Sequence, residues 1–180
     1  LTAIIEALRA VRRDIEITVM SGKPEITAEK HRVNSIHRFH PLQILKEMLR
    51  TDLLLSGGGS LLQDVTSRRS ILYYLSILML AKLLGKKVML YAQGIGPINS
   101  SISRILTKYV CRKADLITVR DDGSYEELME MGLSTDKVLV TADAVFSLLA
   151  DHKDIGRKIL QENGLNGNKP IIGIAVRHWQ

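Results

Sequence analysis

A chain of 180 residues, 46% of them hydrophobic, is long enough for one domain and part of another and apolar enough to build a core. Its 25 basic and 19 acidic residues leave a net charge of +6, which suits an acidic partner: a phosphorylated small molecule, an anionic membrane surface or nucleic acid. The charges are spread along the chain, and the few aromatics (4%) do not interleave with basic residues as in an RNA-reading sheet, which argues against nucleic acid.

The chain opens on "LTAIIEALRAVRRD", with helical spacing at Ile4, Ile5, Leu8 and Val11. An α/β domain normally places a strand before such a helix, so the first strand is expected to be missing. "IEITVMSG" reads as a strand, a polar loop follows to His40, and Pro41 opens the helix "PLQILKEMLR". Strand "DLLLS" leads into Gly57, Gly58 and Gly59 and then the helix "SILYYLSILMLAKLLG", apolar on all sides and so expected to be buried. Its apolar run, Ile71 to Ala81, is shorter than the roughly 20 residues that span a bilayer, and no stretch reads as a signal peptide. A soluble, cytoplasmic protein is expected.

"KKVMLYA" is the next strand, followed by "QGIGP" and the helix "SISRILTKYVCRKA". The single Cys111 in that helix excludes an internal disulfide framework and reads as core packing in a reducing compartment. Strand "DLITV" precedes "RDDGS" and the helix "YEELMEMG", with Gly132 as C-cap; strand "KVLVTA" precedes "DAVFSLL". Short apolar strands alternating with helices predict an α/β fold with a Rossmann-like parallel sheet over residues 1–150. Residues 151–180 read as a charged linker, with the helical piece "GRKILQENG", and the first strand of a second domain, "PIIGIAVRHWQ".

In open parallel sheets, ligands bind beyond the carboxyl ends of the strands. The residues expected there are Ser56 to Ser60, Gln93, Gly94, Arg120, Asp143 and, after the last strand, Arg177 and His178. The three glycines lack the lysine of a phosphate loop and the spacing of a dinucleotide fingerprint. They make either a tight turn, with Ser60 and Gln63 as a capping box for the next helix, or a bare ledge on which an anionic ligand approaches the backbone. Arg68 and Arg69 nearby favour the ledge. Arg120, at the end of a buried strand and directly before Asp121, either makes a surface ion pair of little worth or is placed to fork onto a carboxylate or phosphate, and Asp121 and Ser124 are placed to cap the following helix. Asp143 either orients a substrate or a catalytic partner, or caps the turn after it. His31, His37 and His40 read as loop histidines rather than metal ligands, whereas His178 beside Arg177 is a candidate general acid or base.

The blocks "DLLLSGGGSLLQDVTSRRSILYYL", "VMLYAQGIGPI", "DLITVRDDGSYEEL", "VTADAVFSL" and "AVRHW" together resemble the polysaccharide pyruvyl transferase family, most closely the CsaB-type enzymes that pyruvylate secondary cell-wall polymers. The resemblance implies a glycosyltransferase-B-like pair of Rossmann-like domains with the active site in the cleft between them. It implies phosphoenolpyruvate as donor, no further cofactor or metal, and as acceptor a sugar, typically N-acetylmannosamine on a lipid-linked precursor, met at the inner face of the membrane. Arg120 and Arg177 would then clamp the donor's phosphate and carboxylate, and His178 would move the proton. Gly57, Gly58, Gly59, Ser60, Gln63 and Asp64 would line the floor, with Gln93, Gly94 and Asp143 beside them. The family's glycine-rich N-terminal motif has no counterpart here, in keeping with a missing first strand. Ala144 stands where the family usually has proline, and most of the acceptor-side domain is expected beyond Gln180. The rival readings are a nucleotide-sugar glycosyltransferase of the same architecture and a non-catalytic carbohydrate-binding domain.

Overall fold

The computed structural model describes residues 1–65, 67–148, 153–165 and 172–174, in two compact units, Leu1–Leu148 and Leu149–Gln180. The first unit alternates helices and parallel strands: α1 (Thr2–Val11), β1 (Thr18–Ser21), α2 (Pro24–His31), β2 (Asn34–His37), α3 (Pro41–Arg50), β3 (Leu53–Gly57), α4 (Arg68–Leu83), β4 (Lys87–Gln93), α5 (Ser101–Lys113), β5 (Leu116–Val119), α6 (Asp122–Glu130) and β6 (Val138–Val140). Strands β3 to β6 pair in sequence order as one parallel sheet, and β1 and β2 form a separate parallel pair. This is the α/β alternation expected from short apolar strands spaced by helices.

The stretch between Gly22 and His40 departs from its reading as a loop. Helix α2 has no buried residue and so no apolar stripe, and β2 is four residues long with both ends exposed. Neither carries the periodicity by which elements are recognised in sequence. His31 therefore ends α2, His37 ends β2, and His40 caps α3, its Nδ1 accepting from the Gln43 N–H at 3.4 Å.

Helix α4 begins at Arg68, with Ser67 as N-cap. It buries one stripe, Ile71, Leu75, Leu78 and Ala81, and leaves Leu72 and Leu83 exposed, so its all-round apolar sequence overstates its burial. That stripe packs with Leu90, Ile117, Val119 and Leu128 in the core, where each large side chain contributes about 1.5–3 kcal/mol. Cys111 is buried in the same cluster, and burial pushes its thiol up to about 12, which keeps it an unreactive neutral group. Gly132 ends α6 at φ +76°: its N–H reaches the Met129 carbonyl and that of Leu133 the Leu128 carbonyl, the paired bonds of a Schellman cap.

Asp115, just before β5, ties the lower edge of the sheet. It accepts from Lys82 Nζ at 2.8 Å, the Val88 N–H at 2.8 Å and Lys87 Nζ at 3.3 Å, and these hold its carboxyl down to about 2. A carboxyl with a lowered folded-state pKa contributes stability above its unfolded value near 4, and that stability is lost as pH falls towards 2. Asp115→Asn is expected to lower the urea midpoint at pH 7 and to flatten the loss of stability between pH 4 and 2. Urea titrations of both proteins across that range check it.

The second unit holds α7 (Lys153–Glu162), on which Lys158 and Glu162 form an i,i+4 pair at 4.0 Å. The strand expected over residues 170–180 lies largely outside the described residues, and so do Arg177 and His178.

Candidate functional site

Parallel pairing sets the carboxyl ends of β3, β4, β5 and β6 side by side. The chain leaves them as Gly57–Ser60, Gln93–Gly94, Arg120 and, three residues past β6, Asp143. Arg120 joins all of them. Its Nη2 donates to Ser60 Oγ at 2.9 Å, its Nη1 to Asp143 Oδ2 at 3.2 Å and its Nε to Asp121 Oδ2 at 3.3 Å. Its side chain is 31% exposed, so the guanidinium lies at the rim of the sheet, open on one side.

The reach from β5 to the β3 loop crosses the end of β4, and Gly94 makes that crossing possible. A Cβ there would stand 2.6 Å from Ser60 Oγ and 2.8 Å from Arg120 Nε. Gly57 is bare for another reason: a Cβ would stand 2.6 Å from the Tyr91 carbonyl of the paired strand. A backbone carbonyl inside a sheet cannot step aside, so Gly57→Ala is expected to cost about 1–3 kcal/mol, read as a lower urea midpoint. Gly58 and Gly59, at φ +84° and +146°, turn the chain off the strand, and a Cβ on Gly59 would meet nothing within 4 Å. The ledge is therefore open at Gly59 and closed by packing at Gly57.

The turn after the ledge is held as an extension of the sheet. Leu62 bridges Ile95, the Gly94 N–H donates to the Gly59 carbonyl at 3.2 Å, and the Gly96 N–H to the Leu62 carbonyl at 2.8 Å. Asp64 accepts from the N–H groups of Asn99 and Ser100, each at 2.8 Å. Burial alone would raise its carboxyl, but those two N–H groups, with the nearby Arg68 charge, outweigh burial and keep it low. The capping box read from Ser60 and Gln63 does not form: α4 starts at Arg68 under Ser67, and Ser60 accepts from Arg120 instead. Gln63 is half-buried beside Asp64.

Asp121 caps α6 through the Ser124 N–H at 2.7 Å. Bonding to Ser124 and then to Arg120 lowers its carboxyl despite partial burial. Asp143 caps the turn, Oδ1 accepting from the Val145 N–H at 3.0 Å, while its Oδ2 accepts from Arg120.

Gln93 is fully buried, at the end of a strand that is not regular. Leu90 pairs with Ile117 and Gln93 with Val119, so three steps on β4 match two on β5. This bulge shifts Gln93 onto the face that Leu90 shares, and it places Ala92 at φ +46°, where a side chain costs about 1–3 kcal/mol. Thr118 Oγ1 accepts the displaced Ala92 N–H at 2.7 Å, and Ser56 Oγ donates to Gln93 Oε1 at 3.2 Å. Gln93 Nε2 is buried with no hydrogen-bond partner among the described residues. Sequence reasoning named Gln93 but missed Thr118 and the bulge, because a bulge is a property of the pairing between two strands.

Among the described residues there is no cluster of three or more His, Cys, Asp or Glu able to hold a metal ion, and no helix long and apolar enough to cross a membrane. Comparison with curated proteins and with solved structures finds no match. The family model described as polysaccharide pyruvyl transferase, however, matches residues 1–177, and the chain therefore belongs to the polysaccharide pyruvyl transferase family.

Proposed function

We propose that the protein transfers the enolpyruvyl group of phosphoenolpyruvate to a sugar of a cell-wall or exopolysaccharide precursor, closing it as a ketal and releasing phosphate. The observation that carries this reading is the Arg120 fork, spread over the bare ledge at the strand ends by Ser60, Asp121 and Asp143. A planar guanidinium held open at a rim suits a carboxylate or phosphate oxygen. Ketal formation needs a proton on the enol methylene, which leaves an oxocarbenium centre at the adjacent carbon. One sugar hydroxyl then attacks that carbon, the C–O bond to phosphate breaks, and a second hydroxyl closes the ring, each hydroxyl giving up its proton.

Each residue has a role in this scheme. Arg120 and Arg177 hold the anionic donor, and His178 serves as general acid and base. Gly58, Gly59 and Ser60 form the surface against which the substrate lies. Gln93 supplies a buried N–H, Gly94 leaves room for Arg120, and Asp143 aims it. Gly57, Gln63 and Asp64 act on the shape of the ledge. The acceptor is a lipid-linked sugar approached at the cytoplasmic face of the membrane, with the second arginine and the histidine belonging to a second domain of a glycosyltransferase-B-like enzyme. A test incubates the protein with phosphoenolpyruvate and polyprenyl-linked sugars, following inorganic phosphate and the pyruvyl mass increment on the sugar. Turnover of a nucleotide sugar, with none of phosphoenolpyruvate, would overturn the assignment.

A further inference from the structure

Helix α5 reverses the usual amphipathicity of a helix laid on a sheet. Its buried side is Ser103, Thr107, Val110 and Cys111, and Thr107 Oγ1 has no hydrogen-bond partner among the described residues. Its larger apolar side chains face out: Ile102, Ile105 and Tyr109, at i, i+3 and i+7, are 70%, 67% and 54% exposed. Helix α4 packs alongside and leaves Leu72 and Leu83 exposed on its own outer side. Single exposed apolar residues are ordinary, but apolar rows on the outer sides of two neighbouring helices mark an interaction surface. The charges say what it meets. Helix α4 carries Arg68, Arg69 and Lys82, α5 carries Arg104, Lys108, Arg112 and Lys113, and neither has an Asp or Glu. Lys82 is held by Asp115, and Arg104 by Glu127 and Glu130, which leaves Lys108, Arg112 and Lys113 without an ion pair among the described residues. Lys113 Nζ lies 5.0 Å over the Tyr109 ring, so cation and apolar row are interleaved.

We propose that the outer face of α4 and α5 docks on a bilayer containing anionic lipid, with α5 lying along the headgroup plane. Ile102, Ile105 and Tyr109 enter the acyl boundary, while Lys108, Arg112 and Lys113 meet lipid phosphates. At 13 residues α5 is too short to span a bilayer, so it binds along the surface. A second copy fits this face badly, since pairing it with itself sets cations against cations. Nucleic acid would use the cations but leave the isoleucines in water. Both helices start at the ledge: α4 follows it in the chain, and the Ser100 N–H, at the cap of α5, donates to Asp64 at 2.8 Å. Docking therefore holds the ledge near the headgroups, where a lipid-linked sugar is presented. In that respect the inference deepens the reading of a lipid-linked acceptor and rests on it. The docking itself stands on the two helices, and the vesicles that test it carry neither donor nor acceptor.

The test floats the 180-residue chain with vesicles of phosphatidylglycerol and phosphatidylcholine, or of phosphatidylcholine alone. The salt is about 0.1 M, where exposed charges still act over roughly 10 Å. Binding is expected on the anionic vesicles and is expected to be at least tenfold weaker on the neutral ones. Two double variants, Ile102→Gln with Ile105→Gln and Arg112→Gln with Lys113→Gln, are each expected to weaken anionic binding tenfold or more, since each basic residue at such a surface is worth roughly fivefold. All four residues are exposed, so circular dichroism and the urea midpoint are expected to stay as they are. Lys23→Gln with Lys30→Gln removes the same charge from exposed positions at the two ends of α2 and is expected to leave binding nearly unchanged. A chain that stays off anionic vesicles, or three double variants that weaken binding alike, would overturn the proposal. So would a dimer in light scattering that the isoleucine pair abolishes, which would make a second copy the occupant. Turnover of phosphoenolpyruvate without vesicle binding would sink the docking and keep the reaction; vesicle binding without turnover would do the reverse.

Discussion

Arg120→Lys lowers phosphate release from phosphoenolpyruvate by at least 100-fold and leaves the urea midpoint nearly unchanged; this is the outcome expected if the fork carries the transfer. Lysine keeps the charge but offers a point rather than a plane, and it cannot reach Ser60, Asp121 and Asp143 at once. Losing one aimed donor to developing charge typically costs 10²–10³ in rate. Stability is a weaker lever, because a pair whose arginine is 31% exposed contributes about 1 kcal/mol or less. The two carboxylates on Arg120 sharpen the test. They offset its charge, so an anionic donor must compete with Asp143 for the fork. Asp143→Asn keeps the cap on Val145 and removes that competition, and it is expected to lower the KM for phosphoenolpyruvate. A raised KM, with Arg120→Lys unimpaired, would instead assign this edge to the acceptor sugar. Steady-state kinetics on the two variants decide between these.

The sheet was legible because each of its strands is apolar and each is followed by a turn of glycine or charge. "KKVMLYA" and "DLITV" became β4 and β5 within a residue or two of their expected limits. The gathering of Ser60, Gln93, Gly94, Arg120 and Asp143 followed from the rule for parallel strand ends, with no contact known in advance. Hidden were the features that depend on pairing. That Ser60 belongs to Arg120, sixty residues away, overrides a local S-x-x-Q pattern that looks like a cap. That Gly94 is bare so a guanidinium can cross it is invisible until β5 lies next to β4. Helix α2 and β2 were missed because neither buries a stripe, and a surface element without periodicity looks like a loop.

Gln93→Leu is expected to make the protein more stable by about 1 kcal/mol and less active by tenfold or more. The glutamine is fully buried, and its Nε2 has no partner among the described residues, a deficit that costs about 1–3 kcal/mol. Leucine fills the same space without a donor. Ser56, which loses Gln93 Oε1 as acceptor, is only half-buried and can turn to water, so the exchange leaves little unsatisfied. A chain selected for stability alone would have no reason to keep the amide, nor the strain at Ala92 and the bulge that turn it inward. Strain and an orphan donor at one strand end, next to the Arg120 fork, make sense together if movement of the ledge during turnover opens the buried amide to a substrate oxygen. The paired measurement separates function from packing: urea unfolding gives the stability change, and phosphate release gives the rate. A variant that is both less stable and fully active would show that Gln93 serves the core and that the bulge is a matter of folding.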